Sequence, residues 1–222
     1  MSIKQNLLEI KSSLPEHVTL VAVSKTKPVA DLMQAYESGQ RIFGENKIQE
    51  MAEKFEQLPK DIQWHMIGHV QTNKVKFMAS FVSLIHGVDS LKLLQEINKQ
   101  ALKNNRIIDC LLQMHIAEEE TKFGLDEKEL DEILNQIQND TESFQNIRIV
   151  GLMGMATFTE NQNQIKKEFL HLKAIFEKHK YFIAENFELK TLSMGMSGDY
   201  QLAIECGSTM VRIGSSIFGT RN

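Results

Sequence analysis

Short apolar runs alternate with longer stretches of helical period along the whole chain. Eight of the short runs have the length and the β-branched content of buried strands. They are residues 19–24, 41–44, 63–67, 82–88, 107–114, 147–153, 188–192 and 209–213. Strand and helix in strict alternation imply parallel strands joined by crossover helices. The pattern therefore predicts an α/β fold.

The stretches of helical period fall between these strands, and one more, at the N-terminus, precedes them. The seven between the strands are residues 28–38, 46–57, 70–80, 90–105, 126–138, 161–180 and 199–206. Eight strand–helix units after an N-terminal helix predict a (β/α)8 TIM barrel, with a doubly wound open sheet as the alternative. Because no linker-like or low-complexity segment interrupts the series, we expect a single domain over residues 1–222.

Composition narrows the classes of function. The 222 residues are 42% hydrophobic, which is enough to bury one sizeable core. A formal net charge of −4 provides no basic field, so binding to nucleic acid or to an anionic membrane is disfavoured. Cys110 and Cys206 lie in apolar surroundings without metal-ligand spacing, which predicts buried thiols in a reducing compartment. The amphipathic N-terminus has no long apolar run, and we expect a cytoplasmic protein.

The segment AVSKTKP places a lysine where the first predicted strand ends. In a TIM barrel, the carboxyl ends of the strands and the loops after them share the face that carries the chemistry. Lys25 follows Val21 and Val23 on one face of the strand, so it continues a buried row. Taken alone, it is either a lysine that reaches solvent from the barrel mouth or a partly desolvated amine able to form a Schiff base.

The last two strand-to-helix loops favour an anion site. The segment SMGMSGDY predicts Ser197 as the N-cap of the helix after the seventh strand, and RIGSSIFG supplies Gly214 and Ser215 after the eighth. Backbone amides at helix starts attract anions, and barrels of this kind frequently form phosphate sites between these two loops. Together the two segments predict a phosphate site.

An arginine within the eighth predicted strand adds a third group. Arg212 lies between Val211 and Ile213, where a buried guanidinium needs a partner. That partner is either a glutamate such as Glu45 inside the barrel, or a ring nitrogen or oxygen of a ligand. A lysine amine, a phosphate site and an arginine on one face fit pyridoxal 5′-phosphate, which offers an aldehyde, a phosphate and a pyridine nitrogen.

Four segments carry a resemblance to a known family. AVSKTKP, FGENKIQE, WHMIGHVQTNK and LSMGMSGDYQLAIECGSTMVRIGSSIFG resemble, in the same order, the signature segments of the YggS/PROSC-type pyridoxal phosphate homeostasis proteins. The resemblance covers almost the whole chain and implies a barrel similar to the N-terminal domain of bacterial alanine racemase, with the cofactor bound covalently to Lys25. The other contacts it implies are Asn46 and His65 near the ring, Arg212 at the pyridine nitrogen, and Ser197, Gly214 and Ser215 at the phosphate.

The loop after the fifth strand departs from the family pattern. It reads MHIAEEETKFG, with His115 where an asparagine is expected and Phe123 where a smaller residue is expected. This departure affects the surroundings of the ring and leaves the lysine and the phosphate segments unchanged.

The resemblance implies a role in managing the supply of pyridoxal phosphate, without robust catalysis. We therefore expect a monomeric carrier whose partners are the cofactor and the apo-enzymes that receive it. Racemisation needs a base on each face of the substrate α-carbon, and Tyr36, Tyr181 and Tyr200 offer no obvious second base. An arginine at the pyridine nitrogen would also keep that nitrogen unprotonated and weaken the electron sink. An amino-acid racemase and a Schiff-base aldolase acting on a sugar phosphate are the alternatives.

Overall fold

Eight parallel strands close into a barrel in the computed structural model, which describes residues 2–119, 123–182 and 184–219. Each strand pairs with the next along the chain, and β1 closes the barrel by pairing with β8. The strands are β1 (Thr19–Val23), β2 (Ile42–Glu45), β3 (Gln63–Met66), β4 (Leu84–Val88), β5 (Ile108–Gln113), β6 (Ile147–Met153), β7 (Phe187–Met196) and β8 (Met210–Ile213). The closed barrel confirms the predicted TIM-barrel fold, and the open-sheet alternative is wrong.

Helices connect the strands, and one helix precedes them. The α-helices are α1 (Ile3–Ser13), α2 (Val29–Glu37), α3 (Ile48–Gln57), α4 (Leu91–Lys103), α5 (Glu127–Asn139), α6 (Gln162–His179), α7 (Tyr200–Glu205) and α8 (Ser215–Phe218). Helix α1 begins with a capping box formed by Ser2 and Gln5, and it packs against α2 and α8. Within the described ranges, no helix has the length and apolar character needed to cross a membrane.

Two of the predicted elements differ most clearly from their predicted form. The crossover after β3, predicted as a helix over residues 70–80, is a 3-10 helix at Thr72–Phe77. Its threonine, asparagine and valine residues have low helix propensity, which favours a short, tight turn. Strand β7 continues to Met196 instead of ending at residue 192, because it pairs with β8 as far as Arg212. The extension makes Ser193 a fully buried strand residue.

Most of the apolar core lies between the strands and the surrounding helices, where Phe43 and Trp64 are among the largest fully buried side chains. Cys110 and Cys206 are buried, free thiols, as predicted. A second apolar cluster lies inside the barrel and consists of Val21, Leu84, Leu111, Met153 and Met210. The barrel interior is therefore a packed core, and the carboxyl-terminal mouth is the place for a cavity.

Candidate functional site

A cavity of about 640 Å³ opens at the carboxyl ends of the strands. This volume lies in the range of small-molecule and cofactor sites. The structure brings six of the seven predicted cofactor-binding residues to its wall: Lys25, Asn46, Ser197, Arg212, Gly214 and Ser215. Apolar side chains such as Val23, Ile67 and Met155 complete the wall, so the polar groups meet in a partly apolar enclosure.

Lys25 lies in a tight turn directly after β1. The backbone N–H of Lys27 donates to the carbonyl oxygen of Ser24 at 3.0 Å and closes the turn over Lys25 and Thr26. Thr26 has a φ of 65°, in the left-handed region that β-branched residues rarely adopt. Such strain costs about 1–3 kcal/mol and persists only where neighbouring contacts hold it. The Lys25 side chain is half-buried and lines the cavity.

The loops after β7 and β8 are joined by a hydrogen bond. The hydroxyl oxygen of Ser197 accepts the backbone N–H of Gly214 at 3.2 Å. The prediction that Ser197 caps the next helix is wrong, because α7 begins at Tyr200 and its N-cap is Asp199. The carboxylate of Asp199 accepts the N–H of Met196 at 2.5 Å. The turn before α7 therefore lies later in the chain than the sequence pattern predicts. The two loops nevertheless meet, as a phosphate site between them requires.

The guanidinium of Arg212 is buried in the barrel and borders the cavity. Its Nη1 donates to the carbonyl oxygen of Ser193 at 2.9 Å and to the Ser193 hydroxyl oxygen at 2.6 Å, and its Nη2 donates to the carbonyl oxygen of Gly154 at 3.1 Å. Burial lowers the pKa of Arg212 to about 10, so the group remains cationic at neutral pH. Glu45, the alternative partner, instead contacts Nζ of Lys54 at 2.7 Å.

A chain of hydrogen bonds continues from Arg212 into the barrel core. The Ser193 hydroxyl lies 3.2 Å from Nδ1 of His86, and Nε2 of His86 lies 3.0 Å from Nδ1 of His65. Burial lowers the pKa of both imidazoles, that of His65 to about 3, so both are neutral at neutral pH. Because Arg212 only donates, the chain is satisfied when the serine proton points to His86 and the Nε2 proton of His86 points to His65. Neutral hydrogen-bond partners thus hold Arg212 at the cavity, and the charge of Asp199 also acts on its guanidinium.

His65 is the predicted contact that the structure does not bring to the cavity. It borders a depression at the opposite, amino-terminal ends of the strands, together with Thr19 and Gln63. Side chains alternate along a strand, and the residue two positions further on, Ile67, reaches the cavity in its place. His65 therefore lies one layer below the cavity and connects to it through His86.

Known proteins with similar sequences identify the family. Residues 1–222 match the family described as the N-terminal domain of alanine racemase. The pyridoxal phosphate homeostasis protein of Pasteurella multocida is 37% identical over 235 aligned residues, which cover 100% of this chain and 99% of that protein. The corresponding protein of Aquifex aeolicus is 38% identical over 205 residues, which cover 91% of this chain and 86% of that protein. The chain belongs to the pyridoxal phosphate homeostasis family.

Solved structures agree with membership of the homeostasis family. PipY of Synechococcus elongatus, solved without PLP, is 32% identical and has a TM-score of 0.91, with 98% of this chain and 100% of PipY covered. PipY with PLP bound has a TM-score of 0.86. An alanine racemase from E. faecalis has a TM-score of 0.76 at 16% identity, and the chain covers 58% of it. That likeness shows a shared barrel fold.

The rim of the homeostasis-family cavity contains residues that were not predicted as contacts. The ring of His69 stacks on that of Phe123, with centroids 4.9 Å apart, so the loops after β3 and β5 meet beside the mouth. Nε2 of Gln113 donates to the carbonyl oxygen of Phe123 at 2.7 Å, and all three residues line the cavity. His115 does not line it, and its Nε2 lies 3.3 Å from the carbonyl oxygen of Glu119. The sequence does offer a signal for His69, because it follows Ile67 and Gly68 at the end of the third predicted strand, where residues face the barrel mouth.

Proposed function

We propose that this protein binds pyridoxal 5′-phosphate as a Schiff base on Lys25 and buffers or delivers the cofactor. The observation that carries the proposal is a single cavity lined by Lys25, by the joined loops of Ser197 and Gly214, and by Arg212. These groups fit the aldehyde, the phosphate and the pyridine nitrogen. A relative of 32% identity, PipY, has been solved with PLP bound, which supports the same ligand.

Each part of the cofactor would meet a different kind of group. When bound, the cofactor would supply an aldehyde, and the amine of Lys25 would be the group that holds it covalently. Because the oxygen of Ser197 accepts from Gly214, the Ser197 hydroxyl proton would be left to donate to the phosphate, and Ser215 lines the same part of the cavity. Asn46 also lines the cavity and would offer an amide to the ring substituents.

The arrangement favours a carrier over an amino-acid racemase. Arg212 is cationic and only donates, so it would keep the pyridine nitrogen unprotonated and the ring a weak electron sink. The three tyrosines all lie in the described part of the chain, and none of them lines the cavity. Among the histidines, which are likewise all described, His69 alone lines it, at the exposed rim. The full-length relatives are named as homeostasis proteins and not as enzymes.

Visible absorbance and reductive trapping test the proposal. Wild-type protein mixed with pyridoxal phosphate should develop a band above the protein absorbance, and borohydride should fix the cofactor on the peptide containing Lys25. Lys25→Ala should lose both signals. Lys27→Ala is the matched control, because Lys27 lies in the same turn and its Nζ donates to the Phe218 carbonyl oxygen at 3.0 Å. No band in the wild type, or an adduct on another lysine, would refute the proposal and favour the aldolase alternative.

The remaining expectations belong to the same proposal. We propose that residues 1–222 act as one cofactor-binding domain, because strands from both ends of the chain close the barrel. The net charge of −4 and the two buried thiols suit a cytoplasmic protein without nucleic-acid or membrane partners. We further propose a monomer that passes the cofactor to apo-enzymes. Light scattering and reactivation of an apo-enzyme by the loaded protein are the measurements that test these two points.

A further inference from the structure

A buried lysine that does not line the cavity lies behind the turn of Lys25. Lys54, on α3, is 5% exposed. Its Nζ donates to Oε1 of Glu45 and to Oε1 of Glu50, each at 2.7 Å, and to the carbonyl oxygen of Ser24 at 2.8 Å. An ammonium group has three protons to donate, so these contacts use all of them.

The two carboxylates reach the turn on both sides of Lys25. Oε1 of Glu45 accepts the hydroxyl proton of Ser24 at 2.6 Å, and Oε1 of Glu50 accepts the backbone N–H of Thr26 at 2.6 Å. The residue before Lys25 and the residue after it are therefore tied to one group of charged side chains.

This group of Glu45, Glu50 and Lys54, which we call the clamp, costs stability to build. Glu45 is fully buried, its Oε2 has no hydrogen-bond partner among the described residues, and burial raises the pKa of this carboxyl. Replacing a buried ion pair by well-packed apolar side chains is often neutral or stabilising, so packing alone does not explain the clamp. The left-handed backbone of Thr26 does explain it, because such strain persists only where surrounding contacts hold it.

We propose that the clamp residues are positioning residues, which hold the turn of Ser24 to Lys27 in its strained form and so present the amine of Lys25 to the cavity. The inference rests on the proposed role of Lys25. None of the three clamp residues lines the cavity, so they act on a ligand through the turn. With the clamp released, the turn would relax and the amine would spend less time where an aldehyde can reach it.

Removal of one clamp carboxylate gives the first test. Glu50→Ala deletes the acceptor of the Thr26 N–H and leaves the Glu45–Lys54 pair in place. We expect the Thr26 amide to exchange with solvent roughly tenfold faster in the protein without added ligand. With pyridoxal phosphate added, the visible band should form roughly tenfold more slowly, which corresponds to about 1.4 kcal/mol. Glu53→Ala, at an exposed position on the same helix, should change neither rate.

A glycine at position 26 separates positioning from general stability. Glycine adopts positive φ without steric cost, so the turn then depends less on the clamp. Thr26→Gly alone should form the band close to the wild-type rate. The double variant Glu50→Ala/Thr26→Gly should recover most of the rate that Glu50→Ala loses. Damage to folding in general would not be repaired by a glycine in this turn.

Three results would overturn the proposal: unchanged exchange of the Thr26 amide in Glu50→Ala, band formation in Glu50→Ala at the wild-type rate, or a double variant no faster than Glu50→Ala. Absence of an adduct on Lys25 in the wild type has a different meaning, because it refutes the proposed function. In that case the exchange of the Thr26 amide still decides whether the clamp holds the turn.

Discussion

The buried pair His65 and His86 should make the protein sensitive to mild acid. Burial lowers the pKa of His65 from 6.5 to about 3. The unfolded chain therefore binds a proton on this imidazole at a pH where the folded protein does not, and the free energy of unfolding falls as the pH falls below about 6.5. Linkage for His65 alone gives a loss of about 2 kcal/mol between about pH 7.5 and pH 5. The loss ends only near the pKa of the folded state.

Urea unfolding at these two pH values measures the effect. His65→Gln cannot titrate, yet its amide can still bond to His86. Between the two pH values, the free energy of unfolding of this variant should fall by about 2 kcal/mol less than that of the wild type. All other titrating groups contribute equally in the two proteins, so the difference reports on His65. His17→Gln, at an exposed position, should follow the wild type. Equal losses in the wild type and in His65→Gln would refute the assignment of a neutral, buried imidazole.

Three further substitutions test the fold near the site and the cavity itself. Gly195→Ala should lower the free energy of unfolding by about 1–3 kcal/mol, because φ is 97° and the new Cβ would lie 2.6 Å from that of Ala203. An unchanged midpoint of urea unfolding would contradict the expected backbone and steric strain. Ser197→Ala should weaken pyridoxal phosphate binding roughly tenfold in a titration of the visible band, while Ser216→Ala should not; equal affinities exclude a phosphate contact. Arg212→Gln should still label Lys25 but release the cofactor roughly tenfold faster on dilution, and an unchanged rate would argue against a bond to the pyridine nitrogen.

The sequence predicted the barrel because the signals for strands and helices are local. Strand β6 has its predicted bounds, Ile147–Met153, since apolar residues mark it at both ends. The end of β7 is set by pairing across the barrel, where Met196 aligns with Arg212, and the glycine in this segment weakens any local strand signal. The N-cap at Asp199 depends on the same extension of β7.

Those parts of the site that follow from the geometry of a barrel could be predicted from the sequence. Contacts between side chains far apart in the sequence could not. Six of the seven predicted residues line one cavity because the ends of the strands share a face. Ser193 and His86 are 107 positions apart, and no local pattern links them. Lys54 carried one overlooked signal, since it follows the buried Met51 by three positions and so falls on the apolar face of α3.

The two ends of the proposed site are held by separate buried networks, and this separation bears on function. The clamp fixes the backbone on both sides of Lys25, whereas Ser193 and the neutral His86 fix Arg212. Preorganised groups lose little conformational entropy when a ligand binds, which favours tight retention of that ligand. Burial lowers the pKa of His86, so this imidazole stays neutral beside Ser193 and Arg212 at neutral pH. In the proposed carrier, the positions of the amine of Lys25 and of the guanidinium of Arg212 would therefore be set by different groups of buried side chains.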